Sequence, residues 1–140
     1  MASTSAYRKL ETWQYAMEFV EQCYRATTQF PRAELYGLTS QLRRAAVSIP
    51  ANIAEGYCRR NTKVYAHHVS IALGSHGELE TCIEIAFRLG FLATSEREML
   101  DTHAGSVGRL LNALHRSLEE TIRLEEPKQS SPVPVTETRS

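Results

Sequence analysis

The cations of segment 58–63, CRRNTK, are the residues of this sequence best suited to a chemical task. Arg59, Arg60 and Lys63 bring three positive charges into five residues, at a point where two predicted helices meet. Such a cluster can hold phosphate groups without reading bases, because phosphate contacts carry no sequence information. Backbone amides at the start of the following helix would add to the attraction for an anion. The sequence therefore predicts a basic corner that binds nucleic acid, with these three cations as the first phosphate contacts.

Two further cations, Arg43 and Arg44, are predicted as secondary phosphate contacts, since one of them can be neutralised by Glu55. Residues 32–63 contain six basic and two acidic side chains, whereas residues 78–101 contain six acidic and two basic ones. Over the whole chain, 16 lysines and arginines balance 16 aspartates and glutamates, so the formal net charge is zero. Any polyanionic partner must therefore be held by a local patch and not by the overall charge.

A polar stripe runs along the second predicted helix, beside its apolar face. At about 100° per residue, its members fall within roughly an 80° sector: Gln41, Arg44, Ser48, Asn52, Glu55 and Arg59. In a structural interpretation, Arg44 pairs with Glu55. Ser48 and Asn52 then bond the carbonyls that Pro50 leaves without donors. In a functional interpretation, the same stripe binds a ligand or a neighbouring subunit, and the residues alone leave both open.

Histidines offer a second kind of chemistry, since His67 and His68 are adjacent and His76 follows eight residues after His68. A zinc site needs three or four converging ligands. His68 and His76 lie two helical turns apart, which does not bring such a set together. We expect packing or surface histidines, with no metal and no other cofactor.

Arginine and histidine also recur at spacings that resemble the motif of HEPN ribonucleases, at Arg60 to His67 and at Arg109 to His115. There a cation holds the scissile phosphate and an imidazole transfers the proton. Arg109 and His115 are six residues apart, so they point in opposite directions on a continuous helix. No glycine-rich phosphate loop is present. We therefore predict no enzymatic activity and no small-molecule substrate, with a metal-independent ribonuclease as the third alternative.

The elements that must position these residues are helices, because apolar side chains recur every three or four positions. Helix 1 is predicted over about residues 9–28 and helix 2 over about 32–57. Pro31 suits the first turn of helix 2, and Pro50 is expected to bend it.

Helix 3 is predicted to open with Thr62 as its cap and to stop at Gly90. Helix 4 opens where Ser95 and Glu98 have the spacing of a capping box. It continues to residue 124.

Helix 1 has a wider apolar arc than one bundle interior needs. Its predicted core face consists of Leu10, Trp13, Met17, Val20, Tyr24 and Thr27. Tyr15, Phe19 and Cys23 lie alongside that face, and such an excess usually contacts another subunit. The three cysteines, which are Cys23, Cys58 and Cys82, are predicted to be reduced core residues.

Four short-linked amphipathic helices can bury their apolar stripes only against one another. The fold class predicted is therefore all-α, an antiparallel up-down-up-down four-helix bundle over residues 9–124. Residues 1–8 are predicted to be a flexible N-terminus and residues 125–140 a disordered tail, since the tail holds three of the five prolines. Neither a transmembrane span nor a signal peptide is recognisable, so we expect a cytoplasmic protein without a membrane partner.

Several stretches of the sequence carry a family resemblance that covers nearly all of residues 7–92. They are FP at 30–31, ELYGLT at 34–39, QLRRAA at 41–46, SIPANIAEG at 48–56, ALGS at 72–75 and EL at 78–79. The chain resembles the four-helix-bundle proteins encoded within intervening sequences of bacterial 23S ribosomal RNA genes. Within the long motif, we assign a structural role to Ser48, Pro50, Asn52, Glu55 and Gly56.

The resemblance implies a left-handed antiparallel bundle that assembles into a ring-shaped homopentamer. A relative of this family, the accessory protein of diversity-generating retroelements, binds nucleic acid and a reverse transcriptase. That relative is strongly basic, whereas this chain is neutral. The resemblance supplies no catalytic residues to carry over.

From the residues and the resemblance together, we predict a non-enzymatic, oligomeric accessory protein. It binds RNA, or a nucleic-acid-processing protein, at the corner formed by helices 2 and 3. The alternative is a structural protein-interaction module that binds no nucleic acid.

Overall fold

A computed structural model of the chain describes residues 2–127, with side chains from Ser5 onward. It contains four α-helices, and no strand occurs in this part of the chain. Their bounds are Glu11–Thr27 for α1, Leu38–Cys58 for α2, Thr62–Arg88 for α3 and Thr94–Glu125 for α4. The tail predicted over residues 125–140 lies outside the described residues from position 128 onward. The all-α class and the number of helices are thus confirmed.

Each helix packs against its neighbours in the chain, and α4 also packs against α1. Every side of this arrangement contributes to one apolar core. The largest fully buried side chains are Phe19, Leu42, Ile49, Ile53, Leu79, Ile83, Leu100 and Leu111. Four helices that enclose a shared core form a four-helix bundle.

The core face of α1 differs from the predicted one. Phe19 and Cys23, which were expected to flank the core, are 1% and 0% exposed. Trp13 and Val20 are only partly buried, and Tyr24 is 41% exposed. The helix is rotated by about one residue position from the predicted orientation. Because α1 carries two adjacent apolar arcs, packing against α2 and α4 decides which of them faces inward.

The start of α2 also differs from the sequence prediction, which places it near residue 32. Arg32–Glu34 form a separate short 3-10 helix, and α2 begins at Leu38. Gly37 lies between them at φ −111° and ψ −112°, outside the regions that L-residues favour. The Glu34 carboxylate then accepts the Leu38 N–H at 3.0 Å. As a result Leu35, which falls within the predicted helix 2, lies before α2 and is 46% exposed.

The helix ends agree with the sequence in one case and differ in two. Gly90 has φ +82°, and the amides of Gly90 and Phe91 bond back into the last turn of α3. This is the predicted glycine stop, which is confirmed. The cap of α3 is Asn61 and not Thr62, since the Asn61 carboxamide accepts the Val64 N–H at 3.0 Å.

The predicted capping box of Ser95 and Glu98 is wrong, because α4 begins two residues earlier, with Ala93 as its cap and Thr94 as its first residue. The Glu96 carboxylate accepts the Ala93 N–H at 2.8 Å. Only a glutamate at the third helical position can reach back to the residue that precedes the helix. Glu98 is two positions too late for that bond.

A short 3-10 helix over Ala2–Lys9 precedes α1 and packs against α1 and α2. The flexibility predicted for residues 1–8 concerns motion and stays a prediction. Cys23 and Cys82 are buried as predicted, but Cys58 is exposed because it occupies the outer side of the last turn of α2. Burial raises the pKa of the Cys23 thiol to about 12. None of the helices within residues 2–127 is both long and apolar enough to cross a membrane.

Candidate functional site

The polar stripe of α2 faces α3 and forms hydrogen bonds across the helix pair. Ser48 Oγ lies 2.7 Å from Ser75 Oγ. Asn52 Nδ2 donates to the Ser48 carbonyl at 2.9 Å, and Asn52 Oδ1 lies 2.9 Å from His68 Nδ1. These half-buried groups satisfy one another, which supports the structural interpretation of the stripe.

One part of the structural interpretation is wrong, namely which carbonyl Asn52 bonds. Pro50 removes the donor for the Ala46 carbonyl, but Asn52 bonds the Ser48 carbonyl instead. The helix nevertheless continues through the buried Pro50 to its end at Cys58.

α2 and α3 approach each other closely at Gly56. A methyl group at this position would lie 2.7 Å from His68 Cβ and 3.0 Å from Tyr65 Cδ1. It would also lie 3.2 Å from the Tyr65 Cα atom, so backbone and not a flexible side-chain end obstructs it. The helices can therefore meet here only because residue 56 has no side chain, and the SIPANIAEG motif serves to pack this pair.

Glu55 pairs with Arg59 and not with Arg44. The Arg59 guanidinium lies 3.0 Å from the Glu55 carboxylate, and His68 Nε2 lies 3.9 Å from it. Eleven residues separate Arg44 from Glu55, which is about 16 Å along a helix, too far for a direct ion pair. Arg44 is exposed. The pairing of Arg44 with Glu55 is thus wrong, and Arg59 shares its charge with a neighbouring carboxylate.

Arg43, predicted as a secondary phosphate contact, is half-buried and engaged with α1. Its Nε donates to Thr27 Oγ1 at 2.8 Å, and its guanidinium carbon lies 4.5 Å from the centre of the Tyr24 ring. A cation held by a hydrogen bond and an aromatic face resists transfer to a ligand. Arg43 therefore ties α2 to the end of α1.

Arg60 and Lys63 remain as exposed cations at the junction of α2 and α3. Neither forms an ion pair with a carboxylate in the described part of the chain. Arg60 has φ +57°, which is uncommon for a residue with a side chain. Of the five predicted phosphate contacts, Arg60 and Lys63 are thus unpaired cations at the corner. Arg59 lies beside them but is paired, Arg44 is exposed on α2, and Arg43 is held by α1.

The basic corner borders a cavity of about 330 Å³ that was not predicted from the sequence. Its lining residues are Ala6, Tyr57, Arg60, Asn61, Thr62 and Tyr65. The two tyrosine rings are perpendicular, with centroids 5.9 Å apart and an interplanar angle of 88°. In the sequence, the cavity is indicated only by two tyrosines, Tyr57 and Tyr65, that stand eight residues apart on either side of a helix break.

The Tyr65 hydroxyl oxygen is buried without a hydrogen-bond partner in the described residues. Burial, with a smaller contribution from Tyr57, raises the pKa of Tyr65 to about 12. The phenol is therefore neutral at any physiological pH.

The C-terminal end of α3 has the opposite electrostatic character. Glu84 lies 2.8 Å from Arg88 and also contacts Arg97, which reaches Asp101 at 3.0 Å. The hydrogen bond from Arg88, with the charges of both arginines, lowers the pKa of the Glu84 carboxyl. This end of α3 is a network of mutually neutralised charges, which leaves the basic corner as the stronger site for an anion.

The remaining candidate residues, which are histidines and Arg109, contact other groups and do not form a common site. His76 Nε2 lies 2.7 Å from the Ala104 carbonyl and therefore joins α3 to α4. His115 lies 3.6 Å from Glu119, and Arg109 contacts Ser106. The structure thus does not join Arg109 to His115, the second pair of the ribonuclease alternative.

The fold and the site together define a small helical-bundle protein whose most distinctive motif packs two helices beneath a basic corner. Comparison with known families places it more narrowly. The chain matches the family described as 23S rRNA-intervening sequence protein over residues 8–113, about three quarters of its length. It therefore belongs to that family, which confirms the resemblance seen in the motifs. No individual curated protein matches the chain significantly.

Proposed function

We propose that this chain is a non-enzymatic accessory protein that self-associates and binds RNA, or a nucleoprotein containing RNA, through the basic corner. The observation that carries the proposal is the state of Arg60 and Lys63, which are exposed and lack carboxylate partners among the described residues. Arg59 adds a third, partly neutralised charge. The family's association with a ribosomal RNA gene makes RNA the natural polyanion and the cytoplasm the natural location.

Three cations account for modest, sequence-independent affinity. Each phosphate neutralised on a single strand contributes a slope of about −0.7 to log K against log salt. With Arg59 sharing its charge with Glu55 at 3.0 Å, we expect two to three effective contacts and a slope of about −1.5 to −2 per subunit. Repetition of the corner in an oligomer would raise the apparent affinity through multivalency.

The test is RNA binding by charge reversal, measured by fluorescence anisotropy at about 50 mM salt, where such contacts are strong. Arg60→Glu with Lys63→Glu should abolish binding, and Arg59→Glu alone should weaken it less. The matched control reverses Arg25 and Arg116, two exposed arginines elsewhere that form no ion pair among the described residues, with the same change in formal charge. If both double variants lose RNA affinity equally, binding depends on the overall charge of the protein and not on the basic corner. Undetectable binding by the parent would refute the RNA proposal.

We further infer that neighbouring helices run antiparallel, as in an up-down-up-down bundle. The support is that cross-helix contacts advance along one helix as they retreat along the next. On α2 and α3 they join Gln41 to Glu78, Ser48 to Ser75 and Asn52 to His68. On α3 and α4 they join His76 to Ala104 and Glu84 to Arg97.

Self-association is supported by the arc of α1 that the core leaves half covered. Trp13, Met17 and Val20 are partly buried, and Tyr24 beyond them is 41% exposed. An apolar stripe of this length on a helix usually packs against another surface. Light scattering of the parent should give a multiple of the 15.8 kDa chain mass, fivefold for the pentamer that the resemblance implies. Met17→Glu should lower that mass.

A protein-interaction module without nucleic acid is the second candidate. It is favoured by the connection between α1 and α2, where Tyr36 is 93% exposed next to the 46% exposed Leu35. Purification from the host without nuclease distinguishes the candidates, because copurified RNA supports the first and a copurified protein without RNA supports the second.

A further inference from the structure

We propose that the cavity lined by Tyr57, Arg60 and Tyr65 holds one unstacked RNA base, so that the basic corner binds single-stranded RNA in preference to duplex. This inference rests on the proposed function, since the cations supply the phosphate contacts. The cavity would bind the base, which is the part of the nucleotide that the cations do not contact.

The size of the cavity suits one base. Its volume of about 330 Å³ is near the lower end of the range for small-molecule pockets, about 300–1,000 Å³. Ala6, which has a small side chain, is one of its lining residues. A larger cofactor would project out of the cavity, whereas a single flat ring fits within it.

The lining has the chemistry that proteins use for unpaired bases. Bases splayed out of a strand stack on tyrosine rings and on arginine guanidinium planes. Here two tyrosine rings and the Arg60 side chain line the same cavity. The two rings pack edge to face at 88°, so a base would stack on a ring face that the other tyrosine leaves open. Every base has an aromatic face, so this contact distinguishes an unpaired base from a paired one but does not distinguish one base from another.

The position of the cavity connects it to the phosphate contacts. Arg60 belongs both to the cavity lining and to the basic corner, and Lys63 follows three residues later. A strand held by its phosphates at the corner would therefore place an adjacent base at the cavity mouth. In a duplex that base is paired and stacked, and only an unpaired base can enter without the cost of opening the helix.

The experiment uses a short single-stranded RNA in which one base is 2-aminopurine, whose fluorescence is quenched when it stacks. Binding to the parent protein should quench this fluorescence. Tyr57→Phe keeps the ring and should retain both quenching and affinity. Tyr57→Leu replaces the ring with a smaller apolar side chain that has no aromatic face, and should lose the quenching and weaken single-strand binding about tenfold. Circular dichroism checks that both variants fold.

Two failures are distinguishable. If the parent binds the single strand but 2-aminopurine stays bright and duplex binds equally well, the base pocket is refuted and the basic corner stands. If the parent binds neither RNA at about 50 mM salt, the proposed RNA function fails, whatever the cavity contains. Quenching that persists in Tyr57→Leu would also overturn the assignment of this cavity.

Discussion

The packing of α2 on α3 predicts that Gly56→Ala destabilises the protein, although alanine is the better helix former. The added methyl group would lie 2.7 Å from His68 Cβ, closer than such atoms approach in proteins. Neither this atom nor the Tyr65 Cα atom at 3.2 Å can rotate away. The two helices must therefore separate locally.

The expected magnitude combines three contributions. Overpacking of this kind costs about 1–3 kcal/mol. Separation of the helices also strains the bond between Asn52 and His68, whose net contribution is about 0.5–1.5 kcal/mol. Alanine regains up to about 1 kcal/mol of helix propensity. We expect a net loss of about 1–3 kcal/mol, which lowers the melting temperature by about 3–5 °C per kcal/mol in a domain of this size.

Gly74→Ala is the matched control, because it makes the same substitution in the interior of α3. A methyl group there meets nothing within 4 Å, so only the helix propensity changes. This variant should gain about 0.5–1 kcal/mol. Urea unfolding followed by circular dichroism measures both variants. If Gly56→Ala equals or exceeds the parent in stability while Gly74→Ala shows its gain, the close approach of α2 and α3 is not a constraint on residue 56.

Contacts in the structure predict whether three other variants lose or gain stability, and Arg44→Ala is a control for one of them; all four are measured by urea unfolding. Asn52→Ala removes the partner of His68 Nδ1 at 2.9 Å and should cost about 1–3 kcal/mol; no loss would contradict the structural role of the stripe. Arg43→Ala should cost about 1–2 kcal/mol, while the exposed Arg44→Ala should change stability by less than about 0.5 kcal/mol. Tyr65→Phe removes a buried unpartnered hydroxyl and should gain about 1 kcal/mol. Because the folded-state pKa of Tyr65 is raised to about 12, the parent should lose stability from about pH 10 to pH 12. The Tyr65→Phe variant should lose less over that range, and identical alkaline profiles would refute this.

Local patterns in the sequence predicted much of the fold. Apolar side chains recur at helical spacing along α3, which predicts one buried face, and Val69, Ala72, Leu79 and Ile83 on that face lie in the core. Gly90 correctly marked the end of that helix. Such features are predictable because helical periodicity and a left-handed stop depend on residues within one or two turns of each other.

The orientation of α1 could not be predicted in the same way. Trp13 and Met17 on one arc compete with Phe19 and Cys23 on the next, and hydrophobicity favours neither arc strongly. The buried arc also contains Ala16, which is 1% exposed, and small residues let neighbouring helices approach closely. That advantage exists only once α2 and α4 are in place.

For the candidate site, the sequence by itself determined which charges lie near the corner, and the SIPANIAEG motif indicated a specialised segment. Only the tertiary structure decided which cations are available, because an ion pair or hydrogen bond forms over about 3 Å. Helix packing sets such distances. It commits Arg43 to Thr27, 16 residues earlier in the chain, at 2.8 Å. It also joins Tyr57 and Tyr65 across a helix break into one cavity, an arrangement that no spacing on a single helix specifies.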